Sequence, residues 1–135
     1  MKQRASIAVG DQIGPLFCGP TSRTTLALFA GGSGDHNEVH LDPTIAKSAG
    51  MDDVFAQGML SMAYLGRLLT DTFGQDRLVS YEARFTAITP VDVQPACMGE
   101  VVDIADGVAT VALNTALPNG TQTLVGRARV KLGGH

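Results

Sequence analysis

The chain has 135 residues, 44% hydrophobic and 17% charged, with no tryptophan and a formal net charge of −3. One domain and a real core fit that length. The acidic balance argues against a nucleic-acid binder, two cysteines (Cys18 and Cys97) make no disulfide framework, and neither a secretory core nor a run of transmembrane length is present. The expectation is a soluble, cytoplasmic protein without nucleic-acid or membrane partners, in which any anionic ligand must find a local cluster among Arg67, Arg77, Arg84, Arg127, Arg129 and Lys131.

Residues 11–15 read as an opening turn and 16–18 as a short strand, interrupted by Gly19-Pro20. Thr21 or Ser22 caps a short helix over 24–30, which Gly31-Gly32 stops. A polar loop follows over 31–40. Pro43 suits the first turn of a second helix over 44–49, ended by Gly50. Residues 51–57 are irregular and deliver the chain to Gly58.

The strongest helix runs from 59 to 73 and is apolar over most of its circumference, the pattern of a buried helix. Gly66 inside it costs about 1 kcal/mol against alanine, which implies that another backbone lies close. The period then switches to two. Over 78–87, Val79, Tyr81, Ala83 and Phe85 share one face. Pro90 and Pro95 bracket a connection, and strands at 99–104 and 108–117 are joined through Asp106-Gly107. Asn119-Gly120 turns into a last strand over 121–132, with Leu124, Gly126, Ala128, Val130 and Leu132 inward. The fold class expected is α+β: an antiparallel sheet wrapped around one central buried helix, as a single domain over 1–135.

The stretch 31–40 concentrates the chemistry. It holds two of the three histidines, two acids, an amide and three glycines. In a bent loop Asp35 and His40 can converge on one small space from two sides and polarise a water between them. The alternative is structural: Asp35 and Asn37 cap a turn while His40 packs against a helix end. A metal reading would use His36 and His40 at helical spacing with Asp35 and Glu38. The glycines before and Asp42-Pro43 after argue against a helix there, so no metal is expected. Asn37 is either a brace for the pair or a plain turn-former, and Glu38 either adds charge beside the imidazole or faces water.

Gly58 is the second candidate. Without a Cβ at the start of a buried helix, it lets a ligand oxygen approach N–H groups at the positive end of the helix dipole. Its alternative is a simple turn glycine. Met59 and Ser61 are the neighbouring substrate-contact candidates, with core packing the plainer role for Met59.

GGSGDHNEVHLDP, then AKSAG, then FAQGMLSM, resembles the MaoC-like enoyl-CoA hydratases and 3-hydroxyacyl dehydratases, related to the (R)-specific hydratases. That family's motif is Asp-x-Asn-Pro-x-His with a downstream His-Gly-Met. Here Asp35, Asn37 and His40 match, as do Gly58 and Met59, while Glu38 stands for the usual proline and Gln57 for the usual histidine. The resemblance implies a single hot-dog domain and reversible syn hydration of a trans-2-enoyl thioester to the (R)-3-hydroxyacyl product. Asp35 and His40 would hold the water, and the backbone N–H at Gly58 would stabilise the enolate oxygen. No metal or redox cofactor is implied, since coenzyme A or acyl carrier protein belongs to the substrate. The rival readings are a hot-dog acyl-CoA thioesterase and a non-catalytic acyl-binding subunit. A lone hot-dog unit leaves a sheet edge open, so a homodimer is expected; heteromeric pairing occurs among the resembling dehydratases.

Overall fold

The computed structural model describes residues 7–133. Strand β1 (Gln12–Phe17) takes in most of the expected opening turn and lies antiparallel to β3 (Ala96–Ala105). Pro15 is tolerated because β1 is an edge strand and its register slips between Ile13 and Leu16. Helix α1 (Arg23–Ser33) is capped by Ser22, whose Oγ accepts from the N–H of Thr25. Thr21 instead ties this end to the 90–93 segment, donating through Oγ1 to the carbonyl of Pro90 at 2.8 Å.

The glycine pair expected to stop α1 does not do so. Gly31 and Gly32 stay helical, and the helix ends at Gly34, whose φ of 80° and N–H bond to the Ala30 carbonyl form the left-handed cap. An interior glycine weakens a helix without breaking it; the positive φ is what ends this one.

Helix α2 (Pro43–Ser48) starts with proline in its first turn and Asp42 as cap. Helix α3 (Gly58–Phe73) lies against the sheet with Leu65, Leu68, Leu69 and Phe73 in the core, where they meet Ile13, Cys97, Val111, Leu124 and Val130. Its burial is one-sided rather than all round: Met59 is 58% exposed and Ala63 faces outward. The close neighbour predicted at Gly66 is a side chain, not a backbone. A Cβ there would stand 3.2 Å from the Tyr81 ring, whose hydroxyl donates to the carbonyl of Met62 at 2.7 Å.

Strands β2 (Leu78–Phe85), β3, β4 (Val108–Ala116) and β5 (Gln122–Lys131) complete one five-stranded antiparallel sheet in the order β1-β3-β4-β5-β2. With α3 across it, this is the hot-dog fold. Asp106 and Gly107, at φ of 54° and 73°, make the tight β3–β4 turn. In β2 the register slips between Leu78 and Ser80. Leu78 therefore turns inward with Tyr81 and Ala83, and Val79, expected on that face, is 44% exposed.

A second, smaller cluster gathers Leu26, Ala46, Val54, Ala56 and Leu60. It fastens α1, α2 and the 51–57 segment over the front of α3, so the polar loop between α1 and α2 is held at that helix's amino end. Among the described residues no helix is long and apolar enough to cross a membrane.

Candidate active site

The loop that carries Asp35 and His40 is folded by its own side chains. Gly34 turns the chain out of α1. The Asp35 carboxylate then accepts from the N–H of Asn37 at 3.3 Å, and the Asn37 side chain accepts from the N–H of Val39 at 3.2 Å. Asn37 thus caps the one-turn 3-10 helix Glu38–His40. Asx turns of this kind let a short segment reverse without a helix or strand to support it. The result swings His40 inward to 9% exposure, while His36, Asn37 and Glu38 stay exposed.

His40 is held by Phe55 on one side and faces Asp35 on the other. Its Nδ1 lies 2.8 Å from the carbonyl of Phe55, and its ring meets the Phe55 ring edge-on at 4.9 Å. A carbonyl only accepts, so Nδ1 carries the proton and the lone pair of the neutral ring sits on Nε2. That Nε2 is 3.9 Å from Oδ2 of Asp35, whose side chain is 42% exposed. The gap is too long for a direct hydrogen bond and short enough for one water to bridge. Two proton acceptors therefore aim at one place.

Gly58 opens α3 at the same end. Gln57, its cap, makes no side-chain capping bond, so no capping side chain competes for the N–H groups of Gly58 and Met59 at the start of the helix. The Gln57 side chain is wholly buried and turned the other way, donating through Nε2 to the carbonyl of Leu26 at 2.9 Å. Gly58 also borders a cavity of about 150 Å³ bounded by Phe55, Ala56, Phe85, Ile88 and Leu124, with Ser61 and Thr89 in its wall. Phe55 is common to both features: its carbonyl fixes the imidazole and its residue lines the cavity. Met59 points away to solvent and lies outside that wall.

Sequence reasoning did not anticipate Phe55, Thr89 or Phe85. Phe55 acts through its backbone carbonyl, which every residue type has, so no sequence signal marks it. Thr89 sits in a connection whose path is set by the second core cluster and by the isolated pairing of Phe55 with Pro90. Among the described residues no three His, Cys, Asp or Glu side chains form a group able to hold a metal ion. A larger cavity, of about 390 Å³, lies elsewhere, over β2 and β5 around Glu82, Arg84 and Arg127, away from the acid–imidazole pair.

A family model described as the MaoC like domain matches residues 9–120. The 3-hydroxyacyl-thioester dehydratase Z of Mycobacterium tuberculosis is 27% identical over 105 residues, covering 73% of this chain and 70% of its own length. Among solved structures, the unliganded R-hydratase PhaJ1 from Pseudomonas aeruginosa superposes with a TM-score of 0.87 at 24% identity, over 98% of this chain and 86% of that one. The (R)-hydratase from A. caviae involved in PHA biosynthesis gives 0.84 at 24% identity, over 95% and 98%. At such identity these two likenesses establish a shared fold.

Proposed function

The chain belongs to the MaoC-like dehydratase family, a family of hydratases and dehydratases, and from that premise we propose that it adds water reversibly across the double bond of trans-2-enoyl thioesters to give (R)-3-hydroxyacyl thioesters. The observation that carries the proposal is the facing pair: Oδ2 of Asp35 and Nε2 of His40 at 3.9 Å, with Nδ1 pinned by the Phe55 carbonyl.

In the hydration direction a water held between the two acceptors loses a proton to the pair as its oxygen bonds to the β-carbon. The electron pair of the double bond moves toward the thioester carbonyl, making an enolate whose oxygen is met by the N–H of Gly58. The pair then returns a proton to the α-carbon from the same side, which makes the addition syn. Protons are shared within the pair, so the two residues act as one acid–base unit. Preorganised donors at the developing oxyanion typically contribute about 3–4 kcal/mol each. The reaction needs no metal and no redox cofactor, and the carrier, coenzyme A or acyl carrier protein, arrives with the substrate.

Fixing Nδ1 as the proton-bearing nitrogen supports this assignment, because it leaves the basic nitrogen facing the carboxylate. Asn37 serves as a brace, since its bond to the Val39 N–H holds the turn that presents His40. Strands β1 and β2 are the edges of the sheet and pair with no further strand among the described residues, which supports pairing of two copies as the working unit.

The test is loss of enoyl absorbance from crotonyl-CoA, with Asp35→Asn and His40→Asn as controls. Each substitution is expected to cost about 100-fold to 10,000-fold in kcat with the melting temperature kept. Undiminished turnover in either folded variant would end the assignment. Release of free thiol in place of hydration would mark a thioesterase instead.

A further inference from the structure

The cavity beside Gly58 is apolar except at one place. Ser61 and Thr89 meet in its wall with Oγ and Oγ1 3.3 Å apart, each residue 4% exposed. Every other buried position of α3 is apolar: Leu60, Leu65, Leu68, Leu69 and Phe73. Two hydroxyls that bond to each other use one hydrogen between them. The second hydrogen has no other protein acceptor among the described residues, and a buried donor left unpaired is costly. An oxygen atom on a ligand would relieve that cost; a methyl group would not.

Size and position narrow the ligand further. A cavity of this volume accommodates about six carbon atoms, on the scale of benzene. Ser61 follows Gly58 by three residues, so it lies on the same helix face about 4.5 Å further along the axis. That is about the reach of three to four bonds of extended chain beyond a thioester carbonyl held at Gly58. No cationic side chain lines the cavity, so a carboxylate there would be desolvated without a partner.

We propose that the cavity is a selective acyl site for short chains, of about six carbons or fewer, bearing an uncharged oxygen, a hydroxyl or ketone, at about the fourth or fifth carbon. The Ser61–Thr89 pair supplies the matching hydrogen bond. This rests on the enoyl-thioester reading above. It adds the class of acyl group, since a site built to bond an oxygen discriminates against the analogue that lacks it.

The test reads binding apart from turnover. Pentanoyl-CoA, 4-hydroxypentanoyl-CoA and decanoyl-CoA are saturated and cannot be hydrated, so calorimetric titration of each reports the site alone. The hydroxylated chain is expected to bind about tenfold tighter than pentanoyl-CoA, and decanoyl-CoA at least tenfold more weakly than pentanoyl-CoA. In Ser61→Ala/Thr89→Val, apolar at both positions and checked for folding by its melting temperature, the preference for the hydroxyl is expected to vanish. Equal binding of the two five-carbon thioesters by the unaltered protein overturns the proposal. So does a preference that survives in the double variant, tight binding of the decanoyl chain, or no binding of any of the three. Crotonyl-CoA hydration is measured beside it: its absence would sink the hydration reading, whereas the binding ratio alone decides the nature of the acyl site.

Discussion

Gly58→Ala separates the fold of this protein from its chemistry. A Cβ at position 58 would stand 3.2 and 3.3 Å from Cε1 and Cζ of the Phe85 ring, tighter than ordinary contact by a few tenths of an ångström. Phe85 is 49% exposed, so its ring can yield. The crowding cost is then small, and it is offset by up to about 1 kcal/mol of better helix propensity for alanine. Stability is expected to stay within about 1 kcal/mol of the unaltered protein. Activity is not. In the proposed mechanism a thioester oxygen approaches the leading N–H of α3 beside the added methyl, and a displacement of about 1 Å at a reacting centre can cost about 100-fold. We therefore expect kcat/KM for crotonyl-CoA to fall about 100-fold, equal to about 2.7 kcal/mol of transition-state stabilisation. The assay is the decay of enoyl absorbance beside a thermal melt. Gly58→Ala/Phe85→Ala isolates the cause, since it removes the ring and keeps the methyl; it should remain slow. Normal turnover in folded Gly58→Ala would refute the role of close backbone approach, and recovery in the double variant would move the cause to Phe85.

Other perturbations test the frame around the site. A Cβ on Gly126 would meet the carbonyl oxygen of Glu82 at 2.5 Å, and that atom is backbone; Gly126→Ala should force β2 from β5 and cost about 3 kcal/mol in chemical denaturation, with an unchanged midpoint counting against the strand contact. Arg23 pairs with Asp53 and, through that hydrogen bond first, holds its carboxyl below the usual carboxylate range. A depressed carboxylate contributes stability above its unfolded pKa and loses it as the pH falls through the folded one. Melting temperatures of the unaltered protein and Arg23→Met should therefore differ at pH 7 and converge near pH 3, and a gap that widens in acid would contradict the pairing. Burial pushes the Cys97 thiol up to about 11, partly countered by its hydrogen bond with Thr115, and the thiol of Cys18 is also raised by burial. Iodoacetamide at pH 8 should leave both unmodified in the native protein and add to both in urea, read by mass; rapid native labelling would show the thiols accessible.

Much of the architecture was legible because it is local. Alternation at period two marked the strands, Asp106-Gly107 and Asn119-Gly120 marked hairpin turns, and the apolar run after Gly58 marked the one long helix. The misreadings share a cause. Gly31-Gly32 was expected to end α1 on propensity alone, yet the end falls at Gly34, where a left-handed residue closes the last turn. Strict alternation put Val79 on one face with Tyr81 and Ala83, and a one-residue slip in pairing with β5 separates it from them. Whether a weak signal is obeyed depends on partners distant in the chain, which local pattern does not contain.

The same division holds at the site. Spacing within 31–40 singled out Asp35 and His40, because a short bent loop can bring an acid and an imidazole onto one small space. Which nitrogen of His40 faces the acid, what holds the ring, and which hydroxyls share the neighbouring cavity were decided only by tertiary packing. Phe55 is 15 residues from His40 and Thr89 is 28 from Ser61. Sequence alone marked a sheet, a central helix, and Asp35 and His40 as a candidate acid–imidazole pair. Folding decided which cavity lies beside Gly58, because a cavity is made of surfaces that meet from far apart along the chain.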